Sequence, residues 1–365
     1  MDLDAMLRER LTFRYWEPLE FLISMGMIAC EDAMRKLAED YKVEFDPLMD
    51  EFLTYARENL SAHTMRELKF FLGHDFFHKS FDISAYQFLT LHPELDNVEA
   101  FLEALKKEPL ESLIGSTVLG VYYDRLDELM EGESWETKKQ DLPFLLQQVK
   151  KVSPMPVMAG AHQPLLECLS HPEEARQRFL LMMEQVHLAV FAPWRQRISA
   201  ITESAVSHYR SQFEEDPSAF IRFYNKATPD LFALESRIVL HVSFCLQMGN
   251  HNMSFDGFAL YLFGIFNEKV FGPEASLEKL ERFFKAMSDK RRLAMLQLLL
   301  KRPHYGTELA EALGITPAAV NYHANFFFFL DLLQLKRDDH RLYYHVDQEK
   351  MKELLQLAGQ MLLKE

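Results

Sequence analysis

Cysteine is scarce in this chain. Only Cys30, Cys168 and Cys245 occur, and they are far apart in the sequence. A disulfide framework needs an even set of cysteines, and a CxxC zinc or redox site needs a close pair. Neither arrangement is available, so the sequence favours a reducing, cytoplasmic environment.

Motifs that carry catalysis or nucleotide binding are also missing. The sequence contains no HExxH, GxSxG, GxGxxG, GxxxxGKS or GxxxxGKT pattern, and isolated serines, histidines or cysteines are weak indications of a nucleophile. We therefore expect a protein that is not an enzyme, with no catalytic residue, no metal and no cofactor. An enzymatic N-terminal domain would instead require a deep pocket with several convergent polar groups.

Long apolar runs are absent near the N-terminus. The longest one, Phe21 to Cys30, is far shorter than the roughly 20 residues that cross a bilayer. The first residues, MDLDAMLRERL, lack the basic stretch followed by apolar residues that marks a secretion signal. We expect neither secretion nor a membrane partner.

Hydrophobic residues and acidic charge are plentiful. The 365 residues are 48% hydrophobic and include 30 Phe, which is enough for two cores, and the net charge is −15. From residue 276 onward 14 Lys and Arg face 12 Asp and Glu, whereas residues 1–275 hold 26 against 43. A polyanion is therefore expected to contact only the last quarter of the chain.

The turn-forming residues Phe271-Gly272-Pro273 indicate a domain boundary. Residues 1–272 are predicted to form a mainly helical regulatory or dimerisation domain, and residues 276–365 a winged helix-turn-helix domain. Helices are expected over Pro172–Phe191 and Trp194–Phe213, with Pro193 kinking or breaking the join. Between Ser236 and Phe266, the stretches RIVLHVSFCLQM and FALYLFGIF are rich in β-branched and aromatic residues, and they flank turn-like residues at Gly249–Asn252 and Phe255–Gly257. This pattern favours a small β-hairpin, although a buried helix from Phe258 is the alternative.

The C-terminal region contains start and stop signals for three consecutive helices. Ser288 and Asp289 are predicted to cap the first, and Gly314 to end the second. Thr316 followed by Pro317 indicates the start of the third, the recognition helix. A hairpin wing is expected over Leu335–Arg337 and Arg341–Val346.

Two groups of side chains in this region are candidates for contacting DNA. One lies on the recognition helix, where amides can pair with base edges and small or hydroxyl side chains permit close approach; it comprises Thr316, Ala318, Asn321, Tyr322, His323 and Asn325. The other consists of cations expected to meet phosphates, namely Arg291, Arg292, Lys336, Arg337 and Arg341.

The C-terminal segment, residues 276–365, resembles the ArsR (arsenic-repressor) family of bacterial transcriptional regulators. The resemblance rests on AMSDKRRLAMLQLLL, on GTELAEALGITPAAVNYH with His323 at the family's histidine, and on the wing strand that begins at Arg341. It covers about 90 residues and implies a homodimer, built from the helix Ser276–Met287 and the terminal helix, that binds a palindromic operator and usually represses.

Several departures from the family pattern are visible. Metal sensors of the family carry a Cys-x-Cys pair in the first helix of the reading motif, or Asp and His ligands on the terminal helix. Here the matching stretches, GTELAEALG and EKMKELLQLAGQMLLKE, contain neither Cys nor His, which argues against metal sensing at those sites. Asp331 replaces the usual glycine after the recognition helix, and Asp338 and Asp339 make the wing tip acidic.

Four successive phenylalanines, Phe326 to Phe329, span most of a helix circumference and cannot all face one core. The favoured interpretation is packing under the wing and the first helix. Docking against the N-terminal domain is the alternative.

Two groups of residues in the N-terminal region are candidate binding sites. His74 and His78 have the i, i+4 spacing of metal ligands but lack a third ligand, and the edge of an aromatic core is the favoured interpretation. A possible ligand pocket is formed by Met183, His187, Phe191 and Trp194, although a core helix explains the same pattern.

The resulting prediction is a mainly α protein that binds double-stranded DNA as a homodimeric repressor, with its N-terminal domain sensing an unknown small-molecule or protein effector. The alternative is a protein-interaction module that uses a winged-helix fold without strong DNA binding, with the phenylalanine run as its contact.

Overall fold

The computed structural model describes residues 3–40, 44–76, 81–218, 220–221, 237–255, 257–268, 276–338 and 341–362. It divides into two compact units. The helical unit comprises Phe13–His208 with Val239–Ile265, and the winged unit comprises Met1–Thr12, Tyr209–Ile238 and Phe266–Glu365. Two earlier segments thus group with the C-terminal region, whereas the division into residues 1–272 and 276–365 stays a prediction from the sequence.

Helices dominate the described residues up to residue 215, in agreement with the predicted fold class. One short strand, β1 (Leu11–Phe13), interrupts them. The helices are α1 Leu3–Arg10, α2 Glu17–Ala29, α3 Glu31–Asp40, α4 Pro47–Asn59, α5 Ala62–Leu72, α6 Ile83–Leu91, α7 Val98–Leu105, α8 Leu110–Tyr122, α9 Leu126–Met130, α10 Trp135–Lys138, α11 Leu142–Lys151, α12 Ala159–Ser170, α13 Pro172–Val186 and α14 Ala192–Glu215.

Side-chain caps start several of these helices. The side chains of Asp46, Ser61, Asn97 and Asp141 each accept a hydrogen bond from a backbone N–H in the first turn that follows. Such bonds satisfy donors that have no partner inside the helix. These boundaries are therefore encoded locally.

The join at Pro193 is continuous, so the expected break is wrong. A wide π-turn, His187–Phe191, connects α13 to α14, and the Ala192 N–H bonds to the His187 carbonyl. Proline has no N–H to donate to the carbonyl four residues earlier. The π-turn shifts the hydrogen-bond register by one residue at this point and lets the helix continue.

A four-stranded sheet follows, in the order β1-β2-β4-β3, with β2 Arg237–Ser243, β3 Asn250–Phe255 and β4 Phe258–Gly264. The two predicted strand segments form β2 and β4, which are neighbours in the sheet. A further strand, β3, forms in the segment that was expected to be a turn, and it pairs antiparallel with β4 with Phe255 opposite Phe258. The helical alternative for β4 is wrong. Every residue of this strand is buried, which explains why its apolar run lacks the alternation of a strand with one wet face.

A buried polar network ties β2 to α2. The Trp16 N–H donates to His241 Nδ1 at 3.1 Å, so the imidazole proton lies on Nε2, which donates to Glu20 at 2.8 Å. The Cys245 N–H donates to the other carboxylate oxygen of Glu20 at 2.8 Å. Glu20 and His241 are both fully buried, and these bonds offset the cost of removing them from water.

The winged helix-turn-helix is present as predicted. Its elements are α15 Ser276–Met287, α16 Lys290–Lys301, β5 His304–Tyr305, α17 Gly306–Leu313, α18 Pro317–Phe328, β6 Leu333–Asp338, β7 Arg341–Val346 and α19 Gln348–Leu362. The wing strands pair with Asp338 opposite Arg341. Strand β5, which the sequence analysis missed, adds to β7 and gives a sheet in the order β5-β7-β6.

The chain reverses after α18 at Asp331, which has a left-handed φ of 60°. The carbonyl of Phe327 accepts hydrogen bonds from the N–H groups of Leu330 and Leu332 at 3.1 and 2.9 Å, as expected where a helix ends in a left-handed residue. Glycine adopts this conformation without strain, whereas a residue with a Cβ does not.

Replacing Asp331 with glycine is therefore expected to stabilise the chain by up to about 1 kcal/mol, because the strain at this φ is removed. The midpoint of urea unfolding measures the change. Asp331→Ala is the matched control, since it removes the carboxylate but keeps the Cβ. Equal shifts for the two variants would show that charge, not backbone strain, decides the stability here.

Candidate nucleic-acid interface

The start of the recognition helix α18 is built as the sequence predicts. Gly314 ends α17 with a φ of 62°, and the Thr316 hydroxyl accepts a hydrogen bond from the Ala319 N–H at 3.0 Å. Pro317 occupies the first turn, where its missing N–H costs nothing. The positive end of the helix dipole thus lies at a defined and partly exposed point.

The inward face of α18 also follows the prediction, since Val320, Ala324 and Phe327 are fully buried. On the other side Tyr322 is 39% exposed. Ala318, Asn321 and Asn325 are partly exposed. Side chains near the first two turns are therefore accessible to a partner.

Asn321 has a role that the sequence analysis missed. The hydroxyl of Tyr344, on wing strand β7, donates a hydrogen bond to Asn321 Oδ1 at 2.6 Å. Tyr344 is buried, so this bond joins the recognition helix to the wing. No local sequence signal links these two positions.

His323 does not face outward as a reader of DNA. Its side chain is 6% exposed. Burial lowers the pKa of His323 below the usual histidine value, although the nearby Asp289 carboxylate opposes the shift. Its neutral ring therefore packs between α18 and the start of α16.

Arg292 is not placed for the phosphate contact that the sequence suggested. Its guanidinium is buried and donates from Nε to the Ala286 carbonyl at 2.9 Å and from a terminal nitrogen to the Lys285 carbonyl at 2.7 Å. It also lies 4.0 Å from the centre of the Phe326 ring. Arg292 thus caps the end of α15 and stacks on α18.

Arg291, by contrast, is exposed beside Arg292. Asp289 starts this helix, and its carboxylate accepts the N–H groups of Arg291 and Arg292 at 2.9 and 3.0 Å, which confirms the predicted cap. The Arg292 N–H bond is the main cause that lowers the pKa of Asp289. The first turn of α16 therefore presents Lys290 and Arg291 outward and holds Arg292 inside.

The wing supplies two further exposed cations. Lys336 is exposed on β6, directly opposite Tyr343 of β7. Arg341 is exposed at the start of β7, with its guanidinium 4.8 Å from the centre of the Tyr305 ring. The side chain of Arg337 and all of Asp339 lie outside the described residues.

The phenylalanine run packs largely inward. Phe326 and Phe327 are buried, and the Phe328 ring lies 5.9 Å from the Tyr344 ring. The contacts of Phe326 with Arg292 of α16 and of Phe328 with Tyr344 of the wing agree with packing under the wing and the first helix. Phe329 is partly exposed.

The four residues proposed as a ligand pocket have different surroundings. Met183, His187 and Phe191 are core residues, and His187 Nε2 donates to Glu99 at 3.2 Å. Trp194 alone lines a cleft of about 350 Å³, open to solvent, with Asp50, Glu51, Thr54, Tyr55 and Glu58. The core-helix interpretation describes this segment.

Of the two histidines at 74 and 78, only His74 is among the described residues. His74 Nε2 donates to the Phe70 carbonyl at 2.8 Å, and its ring lies 6.5 Å from that of Phe81. His78 lies outside the described residues. Among the residues that are described, no group of His, Cys, Asp and Glu has the arrangement of a metal site, and no helix has the length and apolarity to cross a membrane.

These features define a winged helix-turn-helix whose recognition helix begins at an exposed, capped end. A model of the family described as "Bacterial regulatory protein, arsR family" matches residues 289–325. This chain therefore carries an ArsR-family helix-turn-helix, as the resemblance in its sequence implied.

Two known proteins are similar to part of this chain. The chain is 31% identical over 77 residues to a "Probable mercury resistance operon repressor" of Streptomyces lividans, a match to 21% of this chain and 62% of the relative. The crystal structure of NolR from Sinorhizobium fredii matches 23% of this chain and 85% of NolR, with 24% identity and a TM-score of 0.20.

Alanine substitutions of Arg291 and Arg292 are expected to affect different properties, DNA binding for Arg291 and stability for Arg292. Arg292→Ala should destabilise the chain by about 2 to 4 kcal/mol, because buried charged hydrogen bonds and ring packing are lost. Arg291→Ala should change the free energy of unfolding by less than about 0.5 kcal/mol and weaken binding to duplexes of any sequence. Urea unfolding and fluorescence anisotropy measure the two effects, and equal destabilisation by both variants would contradict this assignment.

Proposed function

We propose that this protein is a transcriptional regulator, not an enzyme, which binds double-stranded DNA through its winged helix and acts as a repressor. The observation that carries the proposal is the accessible start of α18, on a chain that also exposes Arg291, Lys336 and Arg341. Cations of this kind position a helix on phosphates, while the first turns of the helix reach base edges in the major groove.

A homodimer is part of the proposal. Helices α15 and α19 pack together, with Leu280, Phe283 and Leu354 buried. Phe284 and Leu355, on the same two helices, are 46% and 55% exposed. A second copy of the chain would cover these apolar side chains and would present two recognition helices to a palindromic operator.

The signal is proposed to be something other than a soft metal, although the name of the Streptomyces relative concerns mercury. Metal binding to cysteine needs the thiolate. Burial raises the pKa of Cys168 to about 12 and that of Cys245 well above its usual value. Cys30 is also buried, and its thiol donates to the Leu72 carbonyl at 3.2 Å. We therefore expect the helical unit to respond to another small molecule or to a protein, in a cytoplasmic setting.

An interaction module remains the second candidate, because Leu293 and Leu300 are 40% and 47% exposed on α16. These positions are two helical turns apart and share one face. A salt-dependent retention of the full chain on random duplex DNA supports the regulator. Its absence favours the interaction module.

Substitutions at Arg341 and Asn325 distinguish contacts to the DNA backbone from recognition of the bases. Arg341→Ala should weaken binding to all duplexes by a similar factor and reduce the dependence of log K on log salt by about one unit. Asn325→Ala should instead lower the preference for the best duplex selected from a random library. Anisotropy titrations at several salt concentrations measure both, and a loss of preference with Arg341→Ala would contradict the division.

The proposed dimer face predicts that Leu355→Glu shifts the chain from dimer to monomer, because burying an unpaired carboxylate in an interface is costly. Light scattering coupled to gel filtration measures the mass. Leu181→Glu is the matched control, since Leu181 is 51% exposed on α13, away from α15 and α19 in the sequence. A monomeric wild type would contradict the homodimer.

A further inference from the structure

One tyrosine of the wing contacts the recognition helix at two points. Tyr344 lies on β7, the central strand of the winged sheet, and is 8% exposed. Its hydroxyl donates to Asn321 Oδ1 at 2.6 Å. Its ring lies 5.9 Å from that of Phe328. The same side chain thus touches α18 near its start and at its end.

Asn321 and Phe328 are two helical turns apart on α18 and therefore lie on the same face. Contacts at both points fix the rotation of the helix about its axis and its position along the sheet. The hydroxyl contact is directional and lies near the end of α18 that is proposed to enter the groove. The ring contact at the other end is less directional.

This arrangement conflicts with the reading role that the sequence suggested for Asn321. An asparagine that recognises adenine uses both ends of its amide, with Oδ1 accepting from N6 and Nδ2 donating to N7. In this structure Oδ1 accepts from Tyr344 and is directed toward the wing. A bidentate contact to adenine would require this bond to break or share its acceptor.

We propose that Asn321 is a positioning residue, which together with Tyr344 sets the angle between the recognition helix and the wing, and that base selection falls to Ala318, Tyr322 and Asn325. The proposal rests on the proposed DNA binding. Loss of either side chain lets the helix move relative to the wing. Binding to every duplex is then weakened to a similar degree, because both phosphate and base contacts depend on that angle.

A double-mutant cycle on the full chain tests this tie. The variants are Asn321→Ala, Tyr344→Phe and the double substitution, with Tyr343→Phe as the control that removes a hydroxyl from the opposite face of β7. The probes are the best duplex that the wild type selects from a random library and a panel of its single-base variants. Each single substitution should lower the affinity for all of these duplexes by about three- to tenfold.

The double variant should bind no more weakly than the weaker single variant, because one interaction is lost in all three. Tyr343→Phe should change affinity by less than about twofold. Two results would overturn the proposal. One is additive losses in the cycle; the other is a loss of preference at one A·T pair with Asn321→Ala while Tyr344→Phe leaves affinity unchanged.

The same cycle measured by urea unfolding, without DNA, separates this proposal from the proposed function. A wild type that selects no duplex would refute DNA reading. In that case non-additive shifts of the unfolding midpoint would still support the tie between Asn321 and Tyr344. Additive shifts would overturn it.

Discussion

A buried guanidinium holds the winged unit together. Arg292 lies in the first turn of α16, donates to carbonyls at the end of α15 and stacks on Phe326 of α18. Carbonyls in the last turn of a helix have no partner within the helix and carry the negative end of its dipole, so a cation there is stabilising. Three helices are thereby positioned by one side chain, and the accessible start of α18 depends on that arrangement.

The internal use of Arg292 limits how much positive charge the winged unit exposes to a partner. Successive residues on a helix point about 100° apart, which places Arg291 in solvent and Arg292 in the core. From residue 276 onward the chain has only two more basic than acidic residues, so using one cation internally matters. We expect the remaining cations of both copies in the proposed dimer to contribute jointly to DNA affinity, because each phosphate contact adds its own contribution.

Helix caps and left-handed turns could be predicted from single residues, whereas the continuous helix through Pro193 could not. Asp289, Gly314 and Thr316 were correctly assigned because a cap or a left-handed turn depends on neighbours within a few residues. Arg292 and His323, two candidates for DNA contact, are instead buried by contacts from other helices. The sequence analysis did not anticipate β5 or the bond between Tyr344 and Asn321, because pairing between segments distant in sequence leaves no periodic pattern. The apolar strand β4 stayed ambiguous for a related reason: both its faces are buried.

The amino-acid sequence by itself determined that this chain is mainly helical, that it ends in an ArsR-type winged helix-turn-helix, and where the recognition helix begins. These properties follow from caps, turns and hydrophobic period, which are local. The tertiary structure decided which cations reach solvent, which candidate readers are buried, and that the wing holds α18 through Tyr344. Those outcomes depend on which side chains the packing of helices and strands brings together, and a linear pattern does not contain that information.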